Sequence, residues 1–272
     1  MKTKRARAVL RRMIRFYTLH HLPRSAAGLS YFLTLSFFPT LICLYTMLGR
    51  LSPGPEEVRA FLSGVLPGGT VETIVEYLRY VSRNLSTTML FAALIVLATA
   101  SSAAFRTING VMRDMRGSAR FTDLFGYIFS FLFSLLFLLA VFLGVLIVVT
   151  GKWFLDFVDR RVMFMNVSGT WGWARFALLF LLLFVILSGV YRLTGPQGPP
   201  ARVLPGALAA AGAVVVLSVV FSASISASSR YPLVYGSLAS VVIMMLWLYT
   251  CSLIVFLGGA LNTALEQTAG TE

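Results

Sequence analysis

YPLVYGSLASVVIMMLWLYTCSLIVFLGGALNTALE, residues Tyr231 to Glu266, carries no charged side chain between Ser237 and Leu261. At 1.5 Å of rise per residue a helix over that run spans a hydrocarbon core of about 30 Å. In lipid only a structure that satisfies its own backbone hydrogen bonds survives, so the run predicts a transmembrane helix. Ahead of it Tyr231, Pro232, Tyr235 and Gly236 interrupt the chain and supply aromatic rings at the level where bilayer meets water.

Composition extends that reading to the rest of the 272 residues. Hydrophobic residues make up 58% and charged residues 12%, against about 45–50% and 25% in soluble domains. A soluble enzyme is excluded. No polar block is large enough to fold alone, so one membrane domain (26–266) is expected between a basic segment (1–25) and a short tail (267–272). The net charge of +13 comes from cations gathered beside apolar runs, which suits anionic lipid headgroups better than nucleic acid. Cys43 and Cys251 both sit inside apolar runs and read as small hydrophobes rather than a disulfide or a metal site.

Six spans are predicted, at about 26–48, 87–105, 124–150, 174–191, 203–225 and 237–261. The fold class is therefore an all-α integral membrane protein, a six-transmembrane-helix bundle with amphipathic surface helices. The first segment holds Lys2, Lys4, Arg5, Arg7, Arg11, Arg12, Arg15 and Arg24 without an acid. Cations so placed predict cytoplasmic termini on both ends. Val9, Leu10, Met13, Ile14 and Phe16 recur among them at helical spacing, as in a helix lying on the membrane surface. Pro39 breaks the hydrogen bond to the carbonyl of Leu35 and predicts a kink or hinge in the first span, with Ser36, Thr40 or a neighbouring helix as substitute partner.

Between the first two spans Val71, Ile74, Val75, Leu78 and Val81 form an apolar stripe while Glu72, Glu76, Arg79 and Arg83 take other faces, an amphipathic helix capping the outer surface. Trp153, Trp171 and Trp173 read as an interfacial belt. Small residues mark close helix approach: ATASSAAF ends span two, and Gly206, Ala210 and Ala213 open span five, which closes on Ser218, Ser222 and Ser226.

YGSLASVVIMMLWLY followed by GALNTALE, together with LSYFLTLSFFPTL at residues 29–41, resembles the YihY/BrkB family of bacterial inner-membrane proteins. In that family YGSLA leads into an apolar helix closing on an Asn, and the first helix carries an aromatic pair, a Ser and a Pro. The resemblance covers nearly the whole chain, and it implies a multi-pass protein of the bacterial inner (cytoplasmic) membrane. One departure matters. Family members often carry a Glu directly before the Leu-Asn pair, where this chain has Ala260, so no role for that carboxylate carries over.

Motifs for chemistry are absent from the sequence: no P-loop, dinucleotide fingerprint, zinc spacing or nucleophile elbow. His20 and His21 are adjacent and point about 100° apart on a helix, a poor metal clamp. The family once carried a ribonuclease label. Metal-dependent phosphodiester cleavage wants clustered carboxylates, and Asp114, Asp123, Glu266 and Glu272 are scattered, so no catalytic residue, metal or other cofactor is expected.

Polar residues in or beside spans are the remaining candidates, because lipid penalises them. Arg106, Asn109, Tyr31, Ser36, Ser222, Tyr235 and Asn262 are the candidates for binding substrate or lipid; Pro39, Pro232 and Gly236 are the candidate hinges. Spans one, five and six are expected to surround a cavity with Arg106 and Asn109 at its inner mouth. Arg106 alternatively snorkels to headgroups, and Asn109 and Asn262 alternatively glue helices together. The resemblance favours a transporter or flippase of a lipid, amphiphile or anionic solute. A non-transporting scaffold that binds lipid and a partner protein is the second reading, and a membrane-embedded enzyme the third. Expected partners are membrane lipids with anionic headgroups at the cytoplasmic face and no nucleic acid; a homo-oligomer is left open.

Overall fold

The structure, a computed structural model, describes residues 2–48, 59, 68–84, 86–116, 171–194, 203–226 and 238–269. The regular elements among them are helices: α1 (Lys2–Leu19), α2 (Leu22–Leu48), α3 (Gly68–Asn84), α4 (Thr87–Arg116), α5 (Trp171–Thr194), α6 (Leu204–Ser226) and α7 (Leu238–Ala269). Four stretches are long and apolar enough to cross a membrane: Leu22–Cys43, Thr87–Arg116, Leu204–Phe221 and Val241–Thr268. A shorter apolar helix, Leu179–Thr194, stands where the fourth span was expected. The predicted third span, residues 124–150, lies outside the described residues, as do the tryptophan at position 153 and the turn holding Pro232, Tyr235 and Gly236.

The helices turn large aliphatic and aromatic side chains outward. Phe91 and Ile95 on α4, Leu181 and Val185 on α5, Leu208 and Val216 on α6, and Val242 and Leu246 on α7 are all exposed. Water would penalise such a girdle and hydrocarbon would not. The chain is a membrane protein built of several apolar helices.

α7 is the spine of the bundle, touching α1, α2, α3, α4 and α6. α2 lies along α4 over the most extensive helix contact and also against α7. The small-residue run of span two serves this contact, with Ala100, Ser101, Ser102 and Ala104 all buried. Smaller side chains let the backbones come together, the main source of helix affinity in lipid. Cys43 and Cys251 are free and buried.

Two helices run further than hydropathy suggested. Span two was expected to end at Phe105, yet α4 continues to Arg116. Ile108, Val111, Met112 and Met115 keep one apolar face buried through this extension, and a helix so partnered has no reason to stop at the edge of the hydrocarbon. Span six was expected to end at Leu261 and continues to Ala269.

α3 behaves as its stripe requires. Val71, Ile74, Val75 and Leu78 are buried against Phe37, Leu41 and Trp247, and Val81 joins Ile42, Cys43, Ala93 and Leu97. Phe38 and Tyr77 add an edge-on ring contact at 4.9 Å between centroids. On the polar side Glu72 pairs with Arg59 at 2.8 Å.

α1 and α2 meet at a tight turn. The amide of His20 donates to the carbonyl of Phe16 (3.1 Å) and the amides of Arg24 and Ser25 donate to that of His21 (2.9 and 3.2 Å). His21 itself takes a left-handed backbone, φ 48°, which costs an L-residue about 1–2 kcal/mol. Within α2 the hydroxyl of Ser36 donates to Leu33 (3.0 Å) and that of Thr40 to Ser36 (2.6 Å). Both are spent on carbonyls other than the one Pro39 releases at Leu35.

Replacing a wholly buried stripe residue tests the docking of α3. Val75→Asn should lower unfolding stability in detergent by about 2–3 kcal/mol, because an unpartnered amide is buried, whereas Glu76→Gln on the exposed face should stay within about 0.5 kcal/mol. Thermal unfolding followed by size-exclusion chromatography reads both.

Candidate functional site

The densest polar arrangement among the described residues joins α5, α6 and α7. The first turn of a helix leaves its N–H groups without intrahelical acceptors. In α6 that turn is Leu204, Pro205 and Gly206, and the Gly206 amide donates to Oδ1 of Asn262 on α7 at 2.8 Å. The Nδ2 group of Asn262 donates in turn to the carbonyl of Val203 at 3.0 Å. One side-chain amide thus caps a neighbouring helix with both of its ends, and Asn262 is 1% exposed. Of the two readings of this residue, helix glue describes its contacts.

The cap is possible because the backbones nearly touch. A Cβ on Gly206 would fall against the carbonyl of Gly258 and within 2.6 Å of the Asn262 side chain. A Cβ on Gly258 would stand 2.8 Å from that of Ala210, and one on Gly259 would strike Met112 of α4. Gly206 and Ala210 therefore serve the close packing expected of span five, while Ala213, the third member of that series, faces outward. Tyr191 of α5 closes the arrangement, its hydroxyl donating to the carbonyl of Val255 at 2.6 Å. Tyr191 was not singled out from the sequence; its position in the last turns of an apolar helix was the available signal.

A second set of buried hydroxyls lies on α2, α4 and α7. α2 and α4 pack so that Ile42 and Cys43 lie beside Ala93 and Leu97, while Ala26 and Leu29 share the core with Ile108 and Met112. This antiparallel register brings Ser36 level with Ser101 and Ser102. Ser36, Thr40, Ser101, Ser102 and, on α7, Ser252 are all buried. The hydroxyls of Ser101 and Ser252 have no hydrogen-bond partner among the described residues.

The other candidates disperse. Arg106 is exposed on α4 and reaches back one turn, with Nη1 3.4 Å from the Ser102 hydroxyl. Asn109 is half-buried one turn further along. Both sit inside a continuous helix rather than after its end. Tyr31 is 53% exposed with its ring edge-on to Phe32 at 5.4 Å. The side chains of Ser222 and Tyr235 lie outside the described residues. Among the described residues no three His, Cys, Asp or Glu side chains are grouped to hold a metal ion.

Opening the α6–α7 contact should cost more than removing its hydrogen bonds. Asn262→Ala is expected to lose about 1–3 kcal/mol by orphaning the Gly206 N–H, while the Val203 carbonyl keeps the Ala207 amide at 3.3 Å. Gly206→Ala should lose more, while Gly212→Ala, whose Cβ would meet only the Phe180 ring at 3.9 Å, should be close to neutral. Melting temperatures of the three purified variants give the order.

The sequence pattern of the family described as Virulence factor BrkB matches residues 13–272. YfkH of Bacillus subtilis (strain 168), which bears the name ribonuclease-like protein, is 25% identical over 268 residues, 95% of each chain. The UPF0761 membrane protein VSAL_I2938 of Aliivibrio salmonicida (strain LFI1238) is 29% identical over 115 residues, 42% of this chain and 36% of that one. No solved structure matches significantly. With a match over nearly its whole length, this helical membrane protein belongs to the virulence factor BrkB family.

Proposed function

We propose that the protein is a transporter or flippase of the bacterial inner membrane that moves a lipid, an amphiphile or an anionic solute. The observation that carries this reading is the set of buried hydroxyls on α2, α4 and α7. A hydroxyl without a partner in an apolar bundle costs about 1–3 kcal/mol, and Ser101 on α4 and Ser252 on α7 are both buried without one among the described residues. Such polar positions are retained where water, an ion or a substrate group meets them. Pro39, inside the continuous helix α2, lies one turn from Ser36 on the helix that packs against both partners.

The orientation follows from charge and from a contact. Nη1 of Arg12 on α1 donates to the Thr268 hydroxyl on α7 at 3.2 Å, which supports placing both helix ends on one side. The cation-rich first segment favours the cytoplasm for that side.

A scaffold that binds lipid and a partner without transport is the competing reading. It is favoured by the contact of Gly206 with Gly258, which leaves no room between α6 and α7.

Reconstitution into liposomes separates the two. A fluorescent anionic phospholipid in the inner leaflet should become reducible by external dithionite faster with protein than without. Ser101→Ala combined with Ser252→Ala should slow that rate about tenfold, the upper range of one hydrogen bond, while stability is kept or raised. A wild-type protein that moves neither the lipid probe nor anionic solutes at any density would decide for the scaffold. A small tag inserted after Thr268 should react with impermeant reagents only from the cytoplasmic side.

A further inference from the structure

We propose that the turn between α1 and α2 holds the phosphate of an anionic phospholipid, with α1 lying in the headgroup plane. This site is separate from the buried hydroxyls and does not depend on transport.

At 100° per residue α1 divides into three sectors. Val9 and Phe16 are buried, and Met13 packs beside them against the core that includes α7. Arg7, Arg11 and Arg15 are exposed along one flank. Along the other flank Leu10 and Ile14 are each 59% exposed and Tyr17 is 39% exposed. A helix surrounded by water would gain nothing from that second flank. α2, which begins three residues after α1 ends, is one of the helices able to cross the membrane. The level of α1 is therefore the bilayer interface, where a docked sector, an apolar sector and a cationic sector each meet a matching environment.

The apolar flank runs into a notch. Tyr17, Thr18, His21, Pro23 and Arg24 line a shallow surface depression of about 340 Å³, broadly open to the surroundings. Thr18 spends its proton on the carbonyls of Ile14 and Arg15, both at 3.2 Å. Arg24 is exposed and has no acid partner among the described residues, and the first 24 residues contain no acid at all. The turn is built on His21 in a left-handed backbone, a conformation that glycine adopts freely. His21 lines the depression despite that strain. The Arg24 guanidinium at the depression, an apolar flank leading from it and a membrane helix beneath it select a phosphate carried on acyl chains, and the protein's charge of +13 selects an anionic one.

The test uses the full chain, purified in detergent with phosphatidylglycerol and phosphatidylcholine in equal amounts and examined by native mass spectrometry. The wild type should retain one phosphatidylglycerol in preference to phosphatidylcholine. Arg24→Gln should lower that occupancy about fivefold, the loss expected for one interfacial cation. His21→Gly, which keeps the left-handed turn and removes the imidazole, should lower it in the same direction. Arg79→Gln, exposed on α3 where that helix packs at the opposite end of α2, should leave it unchanged. Equal phosphatidylglycerol retention by the wild type and by both turn variants overturns the proposal. So does stripping of the lipid by millimolar inorganic phosphate, which would assign the notch to a soluble anion.

Discussion

The amide of Asn262 does for α6 what no residue of α6 does for itself. A helix start buried in an apolar bundle has amides that neither water nor its own chain accepts, and Pro205 removes only one of them. Asn262 takes the Gly206 amide and returns a donor to Val203. The cap acts only at the separation that Gly206 and Gly258 permit, and that separation in turn lets Ala210 pack against α7 and Tyr191 reach the carbonyl of Val255. α7 is thus held on one side by hydrogen bonds and bare backbone, and on the other by α2 through ordinary side-chain packing.

Both kinds of contact answer the same constraint. Between helices in lipid the hydrophobic effect is largely absent, so close packing and hydrogen bonds decide which faces meet. The α6–α7 face is made from glycine, alanine and one amide; the α2–α4 face is made from alanine, serine and threonine with larger residues at its ends. The first is closed by bonds that join two helices. The second carries hydroxyls that mostly turn back on their own helix, as Ser36 and Thr40 do, and Ser101, like Ser252 on α7, is unsatisfied among the described residues. That contrast is why the functional reading rests on α2, α4 and α7 rather than on α6.

The sequence made α3 legible residue by residue, because a 3.6-residue stripe in an otherwise polar segment has only one face to bury. It made α1 half legible. Periodicity marked Val9, Leu10, Met13, Ile14 and Phe16 as apolar, but Leu10 and Ile14 differ from Val9 and Phe16 only by where α7 happens to lie. A helix need not end where its apolar span does: α4 runs past Arg106 because Ile108, Val111, Met112 and Met115 carry the buried face onward, a spacing visible in the sequence. The polar junction was legible only in part. Gly206, Ala210 and Asn262 stood out by type, yet Asn262 and Gly206 are 56 positions apart and Tyr191 and Val255 are 64 apart, and no local pattern pairs them.

The docking of α1 also sets an order of events. Arg12 and Thr268 are separated by 256 positions, so the surface that receives α1 is synthesised after every other helix described here. Until α7 is inserted, Val9, Met13 and Phe16 lack the helix that α1 packs against most extensively, and the basic helix rests on whatever membrane surface is nearest. Attachment of α1 is then the closing step of assembly, and a chain stalled before α7 would display a free cationic amphipathic helix by which an incomplete molecule differs from a finished one.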